Sequence, residues 1–296
     1  MLLDDKLRPI DPEITALNAM PWGFNQTGII IKNQKVMNEK NVEYLLDQVK
    51  YAGLGDGHGN EIRENIAQLP KDFKIMHDTK FGEDAVAVSL NFVKSEKSDL
   101  YFFNNYDVTL KPAGSPDVTI EQQFRISNKG QSISLMEAYN MMNNRAVHKQ
   151  LTNKEGKPYK AWMMLDYKNT DQNGSYKMKF FFEKYGYNLD KALSRFPIQE
   201  IREEPGKTNI IQSLEKGNLQ KVTFEINGKE HQLSIEANPN TRGINIYNGN
   251  NQRIEYGQLV SEAKAQNAKT AVHKDNTQAQ DEGSAKQTKK RGHSVA

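Results

Sequence analysis

Apolar and polar positions alternate with two different periods along this chain. Val42, Leu45, Leu46 and Val49 fall on one helical face, opened by Asn38-Glu39-Lys40-Asn41 and closed at Gly53. A second short helix is predicted over about 60–69, stopped by Pro70. From about residue 83 the period becomes two. Val86, Val88, Leu90 and Phe92 share one face of a strand. Further strands are predicted over 100–104, 118–126, 145–151, 159–167, 176–183, 219–226, 229–236 and 244–247. Ser134-Leu135-Met136-Glu137 forms a capping box that opens a helix to about Asn143. Helices are also expected over 189–196 and 209–216, ending at Pro197 and Gly217. Turns are expected at Pro21-Trp22-Gly23, Asn128-Lys129-Gly130, Lys154-Glu155-Gly156-Lys157, Asn173-Gly174 and Asn227-Gly228; the two Asn-Gly pairs carry the hairpin signal. Ile29-Ile30-Ile31 is a short β-branched run.

Strands joined by hairpins and separated by short helices define an α+β class with mainly antiparallel sheets. Two stretches repeat. Phe102-Phe103-x-x-Tyr106-x-x-x-Leu110 matches Phe181-Phe182-x-x-Tyr185-x-x-x-Leu189. Met136, Tyr139, Asn143 and Val147 match Ile211, Leu214, Asn218 and Val222 at a constant offset of 75. These matches suggest two hairpin–helix–strand units. The expected organisation is a partly helical region over 1–80, a duplicated domain over 81–256 with units at about 81–147 and 148–226, and a tail over 257–296.

Charge changes the picture through its placement. The 296-residue chain carries 40 Lys/Arg and 37 Asp/Glu. Residues 261–296 hold seven of those cations against four acids, which leaves the remainder neutral. The folded part is therefore not globally a polyanion binder. The tail lacks aromatics and has little to bury, so disorder is expected there. With no cysteine, disulfides and thiolate metal sites are excluded, and a reducing, cytoplasmic setting fits. The apolar runs are too short to span a membrane.

Motifs for catalysis are missing. Gly53-Leu54-Gly55-Asp56-Gly57-His58-Gly59 follows a predicted helix rather than a strand, which makes it a connector before it is a phosphate loop. The six histidines show no metal-ligand spacing, and there is no Gly-x-Ser-x-Gly elbow. No catalytic residue, metal or cofactor is expected, and the chain reads as a non-enzyme.

The charge within 145–195 points elsewhere. This stretch holds eleven Lys/Arg against five acids, whereas 80–130 holds six against seven. Alternation over Tyr176–Phe182 sets Lys177, Lys179 and Phe181 on one face and Tyr176, Met178, Phe180 and Phe182 on the other. The plain reading is a buried aromatic face backed by a solvated lysine face. The alternative is a surface for DNA or RNA, with cations tracking phosphate and rings stacking on bases. Its candidate residues are Arg145, Lys149, Lys160, Lys177, Lys179, Phe181, Lys184 and Tyr185, joined by Lys289, Lys290 and Arg291 in the tail. A protein partner or self-association through exposed aromatics is the competing class.

Several stretches carry a resemblance: Leu45 and Val49-Lys50-Tyr51-x-Gly53-x-Gly55, Lys97-Ser98-Asp99-Leu100-Tyr101-Phe102-Phe103-Asn104, Glu137-Ala138-Tyr139-Asn140 with Arg145-Ala146-Val147, and Tyr159-Lys160-Ala161-Trp162-x-x-Leu165-Asp166. Pro197-Ile198-x-Glu200, Ser213-Leu214-x-Lys216-Gly217-Asn218 and Ile235-Glu236-Ala237-Asn238-Pro239 continue it. Over roughly 40–250 the chain is similar to uncharacterised proteins encoded on Bacteroides-type conjugative transposons, departing at Asn144, where a glycine is expected. The resemblance implies carriage on mobile DNA, a bacterial cytoplasm and an accessory role in DNA processing or transfer. It supplies no catalytic residues.

Overall fold

Asn38 opens the first helix as its sequence suggests: its side chain accepts from the Asn41 N–H. This helix, α1 (Glu39–Tyr51), buries Val42, Leu45 and Val49. The computed structural model describes residues 38–115, 117–127, 131–261 and 264. The turns expected at 21–23 and 128–130, the run 29–31 and the tail beyond 264 lie outside the described residues.

The glycine-rich stretch connects α1 to α2 (Gly59–Ala67), with Leu54 buried among its glycines. Four antiparallel strands follow as a meander in the order β1 (Asp72–Phe81), β2 (Asp84–Lys94), β3 (Tyr101–Lys111) and β4 (Ile120–Arg125). Sequence alone misses β1, because only Phe73 and Ile75 of its ten residues are buried. Pairing with β2 along its whole length makes it a strand. The first sheet's inner face carries Val86, Val88, Leu90 and Phe92 on β2 with Tyr106, Val108 and Leu110 on β3, all buried. Asn41 ties α1 to β3, donating to the Tyr101 carbonyl at 3.0 Å and accepting from its N–H at 2.8 Å.

The capping box forms in full at α3 (Leu135–Met142). Next comes a central three-stranded sheet in the order β5 (Val147–Thr152), β6 (Pro158–Thr170), β7 (Tyr176–Phe182). Five consecutive β6 residues, Ala161–Leu165, are buried, so this strand is covered on both faces. Two helices, α4 (Leu189–Leu193) and α5 (Gly206–Glu215), lead to the third sheet. Its order is β11-β10-β9-β8, from β8 (Gln220–Ile226), β9 (Lys229–Asn238), β10 (Gly243–Tyr247) and β11 (Arg253–Ile254). Asn227 and Gly228 both take positive φ, at 53° and 73°, the primed turn their pairing predicts. Every strand pairing among the described residues is antiparallel, and the fold is α+β.

The helix-to-strand passage recurs. A left-handed residue follows each helix, Asn144 (φ 60°) after α3 and Gly217 (φ 78°) after α5, and β5 and β8 begin three residues later. Asn140 on α3 joins the two passages, donating to the Lys216 carbonyl at 2.8 Å and to Asn218 Oδ1 at 2.9 Å. The aromatic match does not extend to structure. Phe102–Leu110 stays within β3, while Phe181–Leu189 leaves β7, passes a 3-10 turn (Glu183–Tyr185) and enters α4. The order of the chain also continues past 256. Residues 256–261 are helical, and Tyr256, Leu259 and Val260 pack against the core of the third sheet.

Candidate nucleic-acid interface on the central sheet

Strand register decides which side chains of the central sheet share a face. His148, Trp162 and Phe181 lie side by side, as do Met164 with Lys179 and Asp166 with Lys177. Lys177, Lys179 and Phe181 do share a face, as their alternation requires. The expectation that Phe181 is exposed there is overturned. Trp162, Met164 and Phe181 pack into one core with Leu189, Leu193, Leu214 and the inner residues of the third sheet. Phe181 is 5% exposed.

Lys179 and Tyr185 are engaged at the rim of that core. The Lys179 ammonium donates to Asn240 Oδ1 at 2.6 Å and lies 4.8 Å from the Phe181 ring centre. The Tyr185 hydroxyl donates to the Asn240 carbonyl at 3.2 Å, its ring meets Phe181 edge-on, and the Arg242 guanidinium lies over it at 4.6 Å. These side chains dock the turn at 239–242 onto the central sheet. Lys177 stays exposed opposite Asp166. The Asp166 carboxyl is held below its ordinary range, first by the Asn169 amide and then by the Lys168 N–H and neighbouring lysines.

Two further candidates are structural in their surroundings. Lys149 points to the opposite face, where its ammonium donates to Glu137 at 2.7 Å and to the Ser132 carbonyl at 2.8 Å, with both side chains nearly buried. Arg145 is half-buried, with its guanidinium over Tyr139 at 5.4 Å. The Tyr139 hydroxyl in turn donates to Asp84 at 2.8 Å, and burial followed by that carboxylate raises its pKa. Lys289, Lys290 and Arg291 lie outside the described residues.

The exposed aromatics are on the other face of β7. Phe180 and Phe182 are 40% and 42% exposed, and their rings run nearly parallel, 12° apart with centres at 6.0 Å. Tyr159 on β6 extends the row, 5.9 Å from Phe182. The reason is lateral position. Val147, Ala161, Met163 and Leu165 on the same face are buried, and the Tyr167 hydroxyl reaches the Met142 carbonyl at the end of α3 at 2.5 Å. Phe180 and Phe182 sit on the outer strand, beyond that cover. Beside the rings an open hollow of about 570 Å³ is lined by Asn153, Tyr159, Lys160, Phe182, Glu183 and Lys184. Lys160 and Lys184 are exposed and make no ion pair among the described residues. The predicted cations Lys160 and Lys184 thus line one hollow with Phe182 and Tyr159, which were not among the predicted stacking rings. Alternation separated the faces correctly but carries no sign for inside and outside.

On the far side of Lys160 a second hollow, of about 520 Å³, contains a pairing that sequence reasoning missed. His148 Nδ1 and Glu215 Oε1 are 2.8 Å apart, and the His148 ring stacks on Trp162 at 4.9 Å. The two partners are 67 positions apart in the chain, so no local spacing marks them. His58 and His77 also meet, with Nε2 and Nδ1 at 3.2 Å. Burial, then the His58 charge, lowers the pKa of His77, with Asp78 opposing. Among the described residues no group of three or more His, Asp or Glu is placed to hold a metal ion, and no helix is long and apolar enough to cross a membrane.

No family model matches this chain, and neither a curated protein nor a solved structure matches it.

Proposed function

We propose that this chain is a non-enzymatic, cytoplasmic accessory protein of a mobile genetic element, which binds single-stranded nucleic acid weakly across the outer face of β7. The observation that carries this reading is the row Tyr159, Phe182 and Phe180 with Lys160 and Lys184 beside it. The exposed, nearly parallel rings of Phe180 and Phe182 accept bases of any identity, and unpaired lysines track the backbone. The mobile-element setting rests on the resemblance given above. The basic cluster Lys289-Lys290-Arg291 adds sequence-independent attraction by releasing counterions from the polyanion.

The His148–Glu215 pair receives no catalytic role in this reading. It clips α5 to β5 and covers Trp162, both structural tasks.

Fluorescence anisotropy with labelled single-stranded DNA, duplex DNA and RNA tests the proposal, using the full chain and a chain ending at residue 264, at two salt concentrations. Expected is single-strand binding that survives truncation and weakens with salt. Binding that disappears with the tail, or is equal for duplex and single strand, refutes a site on the sheet.

A further inference from the structure

The outer edge of β7 offers a second kind of contact, through its backbone. Two other strand edges in the fold are capped. The segment 197–200 covers β8: Gln199 N–H donates to the Thr223 carbonyl, Glu225 N–H to the Pro197 carbonyl, and the Glu200 carboxylate accepts from the Thr223 N–H. The end of β5 is held by Gln131, whose Oε1 accepts from the Thr152 N–H at 3.0 Å. β7 is capped only at its start, where Gln122 accepts from the Tyr176 N–H at 2.8 Å and donates to the Tyr176 carbonyl at 3.3 Å. Among the described residues no strand lies on its outer side. The Gln122 bonds show that the Tyr176 backbone groups point away from β6. Alternation directs those of Met178, Phe180 and Phe182 the same way.

We infer that this edge pairs, antiparallel, with the same edge of a second copy of the chain, about a two-fold axis at Phe180. This edge is self-complementary. In that register Phe180 faces Phe180 of the second copy, Met178 faces Phe182, Lys179 faces Phe181, and Lys177 lies opposite Glu183, the first residue of the 3-10 turn that follows the strand. One face becomes continuously apolar, and each outer end closes with a pair of opposite charges. Glu183 and Lys177 are both exposed, and neither makes an ion pair among the described residues. Sliding the copies by two residues one way sets Lys179 against itself, and like charges directly opposite are unfavourable. Sliding the other way leaves only 180–182 paired. A bare edge strand is an aggregation hazard, and closed two-fold pairing removes it. The pairing is made through the backbone edge of β7, and in that register the Phe180 and Phe182 side chains meet those of the second copy. It goes beyond the nucleic-acid reading and does not depend on it.

Sedimentation velocity of the full chain tests the pairing across a concentration series. Expected is a mass rising from 33.7 kDa towards twice that value. Lys177→Glu sets two like-charge pairs into the dimer and should weaken association by about tenfold. Lys177→Glu with Glu183→Lys restores the opposite charges and should recover the wild-type association. A wild type that stays monomeric to roughly 100 µM overturns the inference, since pairing weaker than that has no standing in solution. A dimer of which the single and swapped variants are equally strong overturns the register and with it the inference.

Discussion

Replacing Phe180 and Phe182 together by alanine separates a binding surface from a structural one. Each ring is about two-fifths exposed. Full burial of such a side chain stabilises by about 1.5–3 kcal/mol, so each truncation here should cost about 1–2 kcal/mol of folding stability. A domain of ordinary stability, about 5–15 kcal/mol, survives both. Affinity should change more. Stacking contributes about 1–3 kcal/mol per base, so losing two rings removes at least about 2 kcal/mol, roughly thirtyfold in Kd. The salt dependence should stay as it was, because Lys160 and Lys184 remain. Substituting those two lysines by glutamine should do the reverse, reducing the slope of log K against log salt by about 0.7 for each phosphate left without a neutralising lysine. Phe181→Ala is the internal control. This ring is almost fully buried between the central sheet and the third sheet's core, so its loss should cost about 3–5 kcal/mol in a urea titration. The readouts are anisotropy with a labelled single strand and urea midpoints for every variant. A folded Phe180→Ala/Phe182→Ala protein that binds within twofold of wild type would refute the stacking argument.

Three further outcomes follow from the geometry. Lys149→Ala leaves the nearly buried Glu137 carboxylate without its cation and should lower stability by about 3–5 kcal/mol in urea, with Lys149→Ala/Glu137→Gln recovering part of the loss; a loss below about 1 kcal/mol would contradict the buried pair. Gly217 stands at φ 78° with an added Cβ only 3.0 Å from the Ala146 carbonyl oxygen, so Gly217→Ala should cost about 2 kcal/mol or more, and a neutral result would show that the α5–β8 turn gives way. The lowered pKa of His77 means that the folded state binds fewer protons than the unfolded chain near and below pH 6.5, so this group's contribution is intact above that pH and is lost as pH falls through it. His77→Asn should flatten the fall in urea midpoint between pH 8 and pH 5, and an unchanged slope would mean that burial and His58 do not lower the His77 pKa in solution.

Much of the local structure was legible because its causes are local. Asn38 and the Ser134–Glu137 box start helices through bonds spanning three residues. Asn227-Gly228 turns a hairpin because both residues tolerate positive φ. Alternation over 84–94 and 176–182 gave the strands and correctly separated their faces. Together these features determine an α+β chain with antiparallel hairpins, whatever packs on it. What only the tertiary structure decided was the sign of each face and the long-range partners. β1 is too polar to announce itself and is a strand because β2 supplies its hydrogen bonds. Phe181 faces a lysine-bearing side yet is buried, since the third sheet and its helices close over that side while the rings of Phe180 and Phe182 lie beyond the reach of α3. Lys149, Lys179 and His148 look alike in sequence as solvated polar residues. They are held by Glu137, Asn240 and Glu215, and the last two partners lie more than sixty positions away. A side chain's period follows from its own backbone, but its burial depends on what the rest of the chain lays over it.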